Sequence, residues 1–195
     1  MSTTLPAPLT ADQFFVHPAA QGPSELVRGE IRVMSPAGGR HGRIGPRLTA
    51  LLWQHVEQHG LGVVFADSAG FRLTIPGDTE ESVRSPDAAV VLAHRMPPDD
   101  ETIGFMPLAP DLAVEIISPS ARAAELQEKL ADYLAAGTLA IWALDPARWT
   151  VAVYRPDAPA RYLRDGDVLD GAPVLPDFHC PVAELFAGTA RPDPR

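Results

Sequence analysis

Asp111-Leu-Ala-Val-Glu-Ile-Ile-Ser-Pro-Ser120, then Ala121 to Ala136, Gly137 and Leu139-Ala-Ile-Trp-Ala-Leu-Asp145, is the stretch that decides the architecture. Leu112 to Ile117 is nearly all apolar, the pattern of a strand covered on both faces, and Pro119 stops it. Ser120 is placed to cap a helix in which Leu126, Leu130, Tyr133 and Leu134 form a stripe at helical spacing, and Gly137 marks its end. Leu139 to Asp145 returns as a second covered strand.

Upstream, Glu25-Leu-Val27, a turn at Arg28-Gly29 and Glu30 to Met34 alternate as a short hairpin does. Gly39 to His59 carries Ile44, Leu48, Leu51, Leu52 and Val56 at helical spacing and ends at Gly60. Leu61 to Ala66, Gly70 to Ile75 and Asp87 to Leu92, the last entered through Ser85-Pro86, read as strands. Thr150 to Arg155 and Arg161 to Arg164 read as a closing hairpin. The expected fold is α/β: a central mixed sheet flanked by two main helices, with an N-terminal hairpin and a C-terminal edge hairpin. One domain is expected over residues 10–187, with flexible tails at 1–9 and 188–195.

With 46% hydrophobic and 21% charged residues, the chain belongs among ordinary globular proteins. The single cysteine, Cys180, excludes an internal disulfide framework and a thiolate metal cluster, and suits a reducing compartment. Met1 to Thr10 has neither the basic start nor the apolar core of a signal peptide, and no apolar run is long enough to span a bilayer, so a cytoplasmic location and no membrane partner are expected. A formal charge of −9 argues against a generic nucleic-acid coat protein, although Arg40, Arg43 and Arg47 on one helix could make a local basic site.

Lys129 is the single lysine among 16 Lys and Arg residues. An ammonium is a compact point charge on a flexible stem, whereas Arg is a planar fork, so chemistry beside a water or a phosphate oxygen distinguishes the two. The helical wheel puts Lys129 at the edge of the buried stripe, beside Tyr133, and leaves Glu125, Glu128 and Asp132 for a solvated face. Glu115 stands in an otherwise apolar strand, where an ionised carboxylate needs a partner. Asp87 opens another central strand. Two carboxylates on adjacent strands can share a hard divalent cation, with a backbone carbonyl such as that of Ile116 as a further ligand.

Ser85-Pro86-Asp87, Val114-Glu115-Ile116-Ile117-Ser118-Pro119-Ser120, Gln127-Glu128-Lys129 with Tyr133, Gly137 and Trp142-Ala-Leu-Asp145-Pro146 together resemble the Uma-type restriction endonucleases of the PD-(D/E)XK nuclease superfamily. The likeness runs through nearly the whole chain, to Leu175-Pro176 and Val182-Ala-Glu-Leu-Phe186. Elsewhere in the superfamily the lysine commonly lies two residues after the second acid, which is Ile117 here; the Uma-type pattern places it on the following helix, as Lys129 is. The chain departs from its relatives at Ala121, where Asp is frequent, and at Ser24 and Arg28, where an aromatic residue and an acid are frequent.

The resemblance implies a restriction-endonuclease-like fold and hydrolysis of DNA phosphodiester bonds. It implies Mg²⁺ or Mn²⁺ on Asp87 and Glu115, and a catalytic Lys129 that orients the attacking water. Glu30 matches a further acidic position that anchors the metal through water, against the competing reading of a polar residue on an exposed strand face. A homodimer follows by analogy, because cutting both strands is easiest with two sites.

The other candidates are weaker. His41 stands next to Gly42, where it can touch a phosphate or serve as a cap, and His55 and His59 lack a Glu-x-x-His frame. Ser118 and Ser120 have no Gly-x-Ser-x-Gly elbow. Two rival functions stay open: a catalytically silent nuclease-fold module that binds nucleic acid or a protein partner, and a carbonyl enzyme using Lys129 as a Schiff base, which requires a depressed lysine pKa.

Overall fold

The computed structural model describes residues 7–34, 38–118 and 123–191. Its helices are α1 (Ala11–Phe15), α2 (His41–His59), α3 (Ala123–Ala135) and α4 (Val182–Leu185). The strands are β1 (Ser24–Val27), β2 (Glu30–Val33), β3 (Gly62–Ala66), β4 (Phe71–Leu73), β5 (Ser82–Arg84), β6 (Ala88–Leu92), β7 (Leu112–Ile116), β8 (Ala140–Asp145), β9 (Thr150–Arg155), β10 (Ala158–Leu163), β11 (Val168–Asp170) and β12 (His179–Pro181).

Six strands form the central sheet in the order β10-β9-β8-β7-β6-β3. Only the β7–β8 pair is parallel, joined by α3 as the quoted stretch predicts, and the β9–β10 hairpin closes one edge. Side chains alternate along each strand, and the two helices divide the faces between them. Ile44, Leu48, Leu52 and Val56 of α2 pack on Ala88, Val90, Leu112, Val114 and Trp142. Leu130 and Tyr133 of α3 pack on Ala89, Val91, Ala113 and Ile141. Glu115 shares the row of Ala113 and so belongs to the α3 face.

Helix α2 ends at Gly60 in the left-handed region, whose N–H caps Glu57 and Val56. Beyond α3, Gly137 adopts φ +96° while its N–H and that of Thr138 bond back to Leu134 and Tyr133, the glycine stop expected from the sequence. Pro119 and Ser120, read as the strand stop and the helix cap, lie outside the described residues.

The central sheet between its two helices is as expected, and a second, four-stranded sheet lies beside it. The β1–β2 hairpin forms as predicted, but it joins β5 and β4 in a separate four-stranded sheet, β2-β1-β5-β4. Strand β5 was not read from the sequence. The long Arg95-to-Pro110 connection is pinned to this second sheet: Met106 bridges to Phe71, and Phe105 stacks on Phe14 with ring centroids 5.6 Å apart. Leu9, the last residue of the expected N-terminal tail, is tied to the hairpin by its N–H, which bonds to the Gly29 carbonyl.

Candidate active site

The register Ala88↔Val114 and Ala89↔Ala113, extended by one residue, sets Asp87 against Glu115 where β6 and β7 meet. The Asp87 N–H bonds to the Val114 carbonyl, and its Oδ2 accepts the Ile116 N–H at 2.5 Å. Ile116 thus reaches the site through its backbone, while its side chain belongs to the α2-face core. Asp87 Oδ1 lies 2.9 Å from His41 Nε2 at the start of α2, and this contact holds the imidazole pKa above its ordinary value. His41 is therefore neither a cap nor a free surface residue.

Lys129 follows Leu126 by three residues and precedes Leu130 and Tyr133 on the inward stripe of α3, so it is buried, with 9% of its surface exposed. Its Nζ donates to the Ser85 carbonyl at 2.9 Å and to the Glu115 carboxylate at 2.9 Å, and it lies 2.8 Å from Glu25 Oε1. The Tyr133 hydroxyl donates to Glu115 Oε1 at 3.1 Å. Asp87, Glu115 and Lys129, singled out from sequence, are thus brought together.

Glu30 is not among them. It sits exposed at the first position of β2, paired across the hairpin with Val27, the placement of a polar residue on an open strand face. The hairpin's contribution is Glu25, only 3% exposed, with Oε1 also accepting the Ser85 N–H at 2.9 Å and Oε2 accepting Arg84 Nη1 at 2.8 Å. Ser24-Glu-Leu-Val27 is not an apolar run in sequence, so only the fold, in which every residue of that strand is buried, marks Glu25 as the counterpart of Glu115.

Arg84 continues the chain of charges, its Nε donating to Asp132 Oδ2 at 3.0 Å, and Arg28 meets Asp132 Oδ1 at 2.9 Å. Arg28 also reaches Asp78 and Glu128, and Arg32 pairs with Glu128. Asp132, expected on a solvated face, is 2% exposed because the second sheet lies over it.

These surroundings set the protonation states. Burial, with Asp87 and Glu25 adding to it against the pull of Lys129, pushes the Glu115 carboxyl up to about 7. Burial disfavours the Lys129 ammonium, but Glu115 and Glu25 outweigh it and hold the group charged, above the ordinary lysine range. That direction is the reverse of what a Schiff-base lysine needs. For Glu25 burial acts upward, yet Lys129 and Arg84 outweigh it and the carboxyl falls below the usual range.

The assembly opens into a cleft of about 970 Å³ between the two sheets, lined among others by Arg32, His41, Asp67, Asp87, Glu115 and Lys129. Asp87 and Glu115 are hard oxygen donors that repel each other, the donor chemistry that suits a hard divalent cation. Among the described residues no group of three His, Cys, Asp or Glu side chains stands ready to enclose a metal. Magnesium tolerates that, since it usually takes only one or two protein carboxylates and keeps its other positions for water and substrate.

A family model described as Uma2, "Putative restriction endonuclease", matches residues 11–183, and the chain belongs to this family. Among solved structures it is similar to a "putative nuclease belonging to DUF820" from Anabaena variabilis ATCC 29413, at 25% identity and a TM-score of 0.77, over 92% of this chain and 98% of that one. No curated protein matches the chain. Among the described residues, no helix is long and apolar enough to cross a membrane.

Proposed function

From that membership we propose that the protein is an endonuclease that hydrolyses phosphodiester bonds in DNA with the help of Mg²⁺ or Mn²⁺. The observation that carries the reading is the buried Glu115–Lys129 pair on the floor of an open cleft, with Asp87 across from it on the neighbouring strand. A structural ion pair has no need of a cleft, and a carboxylate in an apolar strand has a cost that a site must justify.

Asp87 and Glu115 would hold the cation, with the Ile116 carbonyl as a third oxygen. The cation would supply positive charge beside the phosphate and a more acidic water. Lys129 would contribute an ammonium at the cleft, able to stabilise negative charge developing on the attacked phosphate once one of its N–H groups is released from its protein partner. His41, held by Asp87, adds a second donor on the α2 side of the cleft. Arg32 lines the same cleft and favours an anionic substrate. The proposed assembly is a homodimer with one such site per strand of a duplex, in a reducing compartment suited to the free, buried Cys180.

The second reading, a catalytically silent module, is favoured by one observation. Both Asp87 oxygens and the Lys129 ammonium are already matched by groups of the protein. Mn²⁺ titration by calorimetry on wild type, Asp87→Asn and Glu115→Gln, with plasmid nicking on the same samples, separates the two. Binding and nicking in the wild type, both lost in the folded variants, are the expected results. A folded wild type that neither binds Mn²⁺ nor nicks DNA overturns the nuclease reading in favour of the module.

A further inference from the structure

An ammonium has three N–H donors. At Lys129 they face three acceptors: the Ser85 carbonyl at 2.9 Å, Glu115 at 2.9 Å and Glu25 at 2.8 Å. The lysine can therefore act on a water or a phosphate only by giving one of them up, and the structure shows which partners are fixed.

Ser85 is backbone. Glu25 is clamped at both oxygens, Oε1 by the Ser85 N–H and Oε2 by Arg84. Arg84 in turn grips Asp132, one helical turn beyond Lys129 on α3, so Glu25, Arg84, Asp132 and Lys129 close a ring linking β1, β5 and α3. Glu25 cannot turn away without breaking that ring. Glu115, by contrast, is held otherwise, among the described residues, by the Tyr133 hydroxyl at 3.1 Å.

We propose that Glu25 is the positioning residue of this site: with the Ser85 carbonyl it anchors the Lys129 ammonium, and Glu115 is the exchangeable partner whose departure frees one N–H toward the cleft. The acid that matters on the hairpin is then a lysine anchor and not a metal ligand. Its effect on turnover rests on the nuclease reading; its effect on the lysine does not.

Because Lys129 is the single lysine, amine chemistry reports on it alone once the N-terminal amine is resolved by peptide mass spectrometry. The rate of Lys129 acetylation by an N-hydroxysuccinimide ester is measured in wild type, Glu25→Gln and Leu52→Ala. Leu52→Ala loosens the buried α2 core without touching the ring, and so controls for a loosened fold. Glu25→Gln is expected to speed labelling by about tenfold or more, the factor by which losing a charge-assisted hydrogen bond shifts an equilibrium, while Leu52→Ala changes it by less than about twofold. On DNA, Glu25→Gln is expected to lower kcat by about 10²-fold, as a misplaced group does, with KM and Mn²⁺ affinity unchanged.

Unchanged labelling in a folded Glu25→Gln overturns the proposal, whatever the wild-type activity. So does weakened Mn²⁺ binding in that variant, which would make Glu25 a metal ligand instead. A wild type that does not cleave DNA sinks the nuclease reading, and the labelling comparison still decides the anchor. If Glu25→Gln does not fold, Glu25→Asp, which keeps the charge and withdraws the oxygens by one methylene, gives the same two readouts, with faster labelling and a kcat below wild type at unchanged Mn²⁺ affinity as the supporting result.

Discussion

Replacing Arg84 with Leu tests whether the buried charges behave as one unit. Arg84 is 3% exposed and its guanidinium bridges Glu25 at 2.8 Å and Asp132 at 3.0 Å directly. Its removal leaves two carboxylates in surroundings where they are 3% and 2% exposed. Breaking a buried pair by deleting one member costs about 3–5 kcal/mol, because the other charge is stranded. Here Glu25 keeps Lys129 and Asp132 keeps Arg28, which points to the lower end, about 3 kcal/mol. In a domain of this size each kcal/mol moves Tm by about 2–4 °C, so Arg84→Leu should melt about 6–12 °C below wild type. Thermal and urea unfolding at pH 7, in low salt and again in 1 M NaCl, make the assay. Salt should leave the gap largely intact, since buried pairs are little screened. A loss under about 1 kcal/mol, or one that vanishes in high salt, is what a solvated surface pair gives, and it would refute the argument.

Three further outcomes are expected. The folded-state pKa of Glu25 lies below the unfolded 4.5, so its contribution is fully present above pH 4.5 and is lost as pH falls below it; the urea-midpoint gap between wild type and Glu25→Gln should narrow in that acid window. Gly62 has φ +156°, and a Cβ there would stand 2.0 Å from the Val91 carbonyl oxygen, so Gly62→Ala should cost more than about 1 kcal/mol by urea unfolding and speed amide exchange along β3. Lys129→Arg, which keeps the charge, should lower kcat nearly as far as Lys129→Met does in plasmid nicking.

What the sequence revealed and what it hid divide along one physical line. Local pattern was enough for β7, α3, β8 and the β1–β2 hairpin, because each is set by apolar periodicity and by a nearby breaker such as Gly137. It was enough for Glu115 and Lys129 too, since a charge in an apolar strand and an ammonium on an inward stripe are anomalies within a few residues of sequence. The second sheet was hidden because β5 is only Ser82-Val83-Arg84, whose polar residues look solvated until their partners are known. Those partners, Glu25 and Asp132, lie 59 and 48 residues away and come together only in the fold. Glu30 and Glu25 are indistinguishable in sequence for a related reason. Both acids stand on the hairpin, and alternation alone does not show that β1 is the inner strand while β2 is the edge.

The same geometry accounts for a single lysine in a chain that otherwise uses arginine. Ser85 belongs to the entry of β6, Glu115 to β7 and Glu25 to β1, so the three acceptors approach the cation from three different elements. A tetrahedral ammonium can turn one N–H toward each. A guanidinium spreads its donors in one plane and is wider, and it suits two carboxylates gripped side by side, which is what Arg84 does with Glu25 and Asp132. At 9% exposure, with acceptors already at 2.8–2.9 Å on three sides, a guanidinium at position 129 would not reproduce these contacts. The two cations of the buried ring are therefore not interchangeable: the fork holds the sheets and helix together, and the point charge is left facing the cleft.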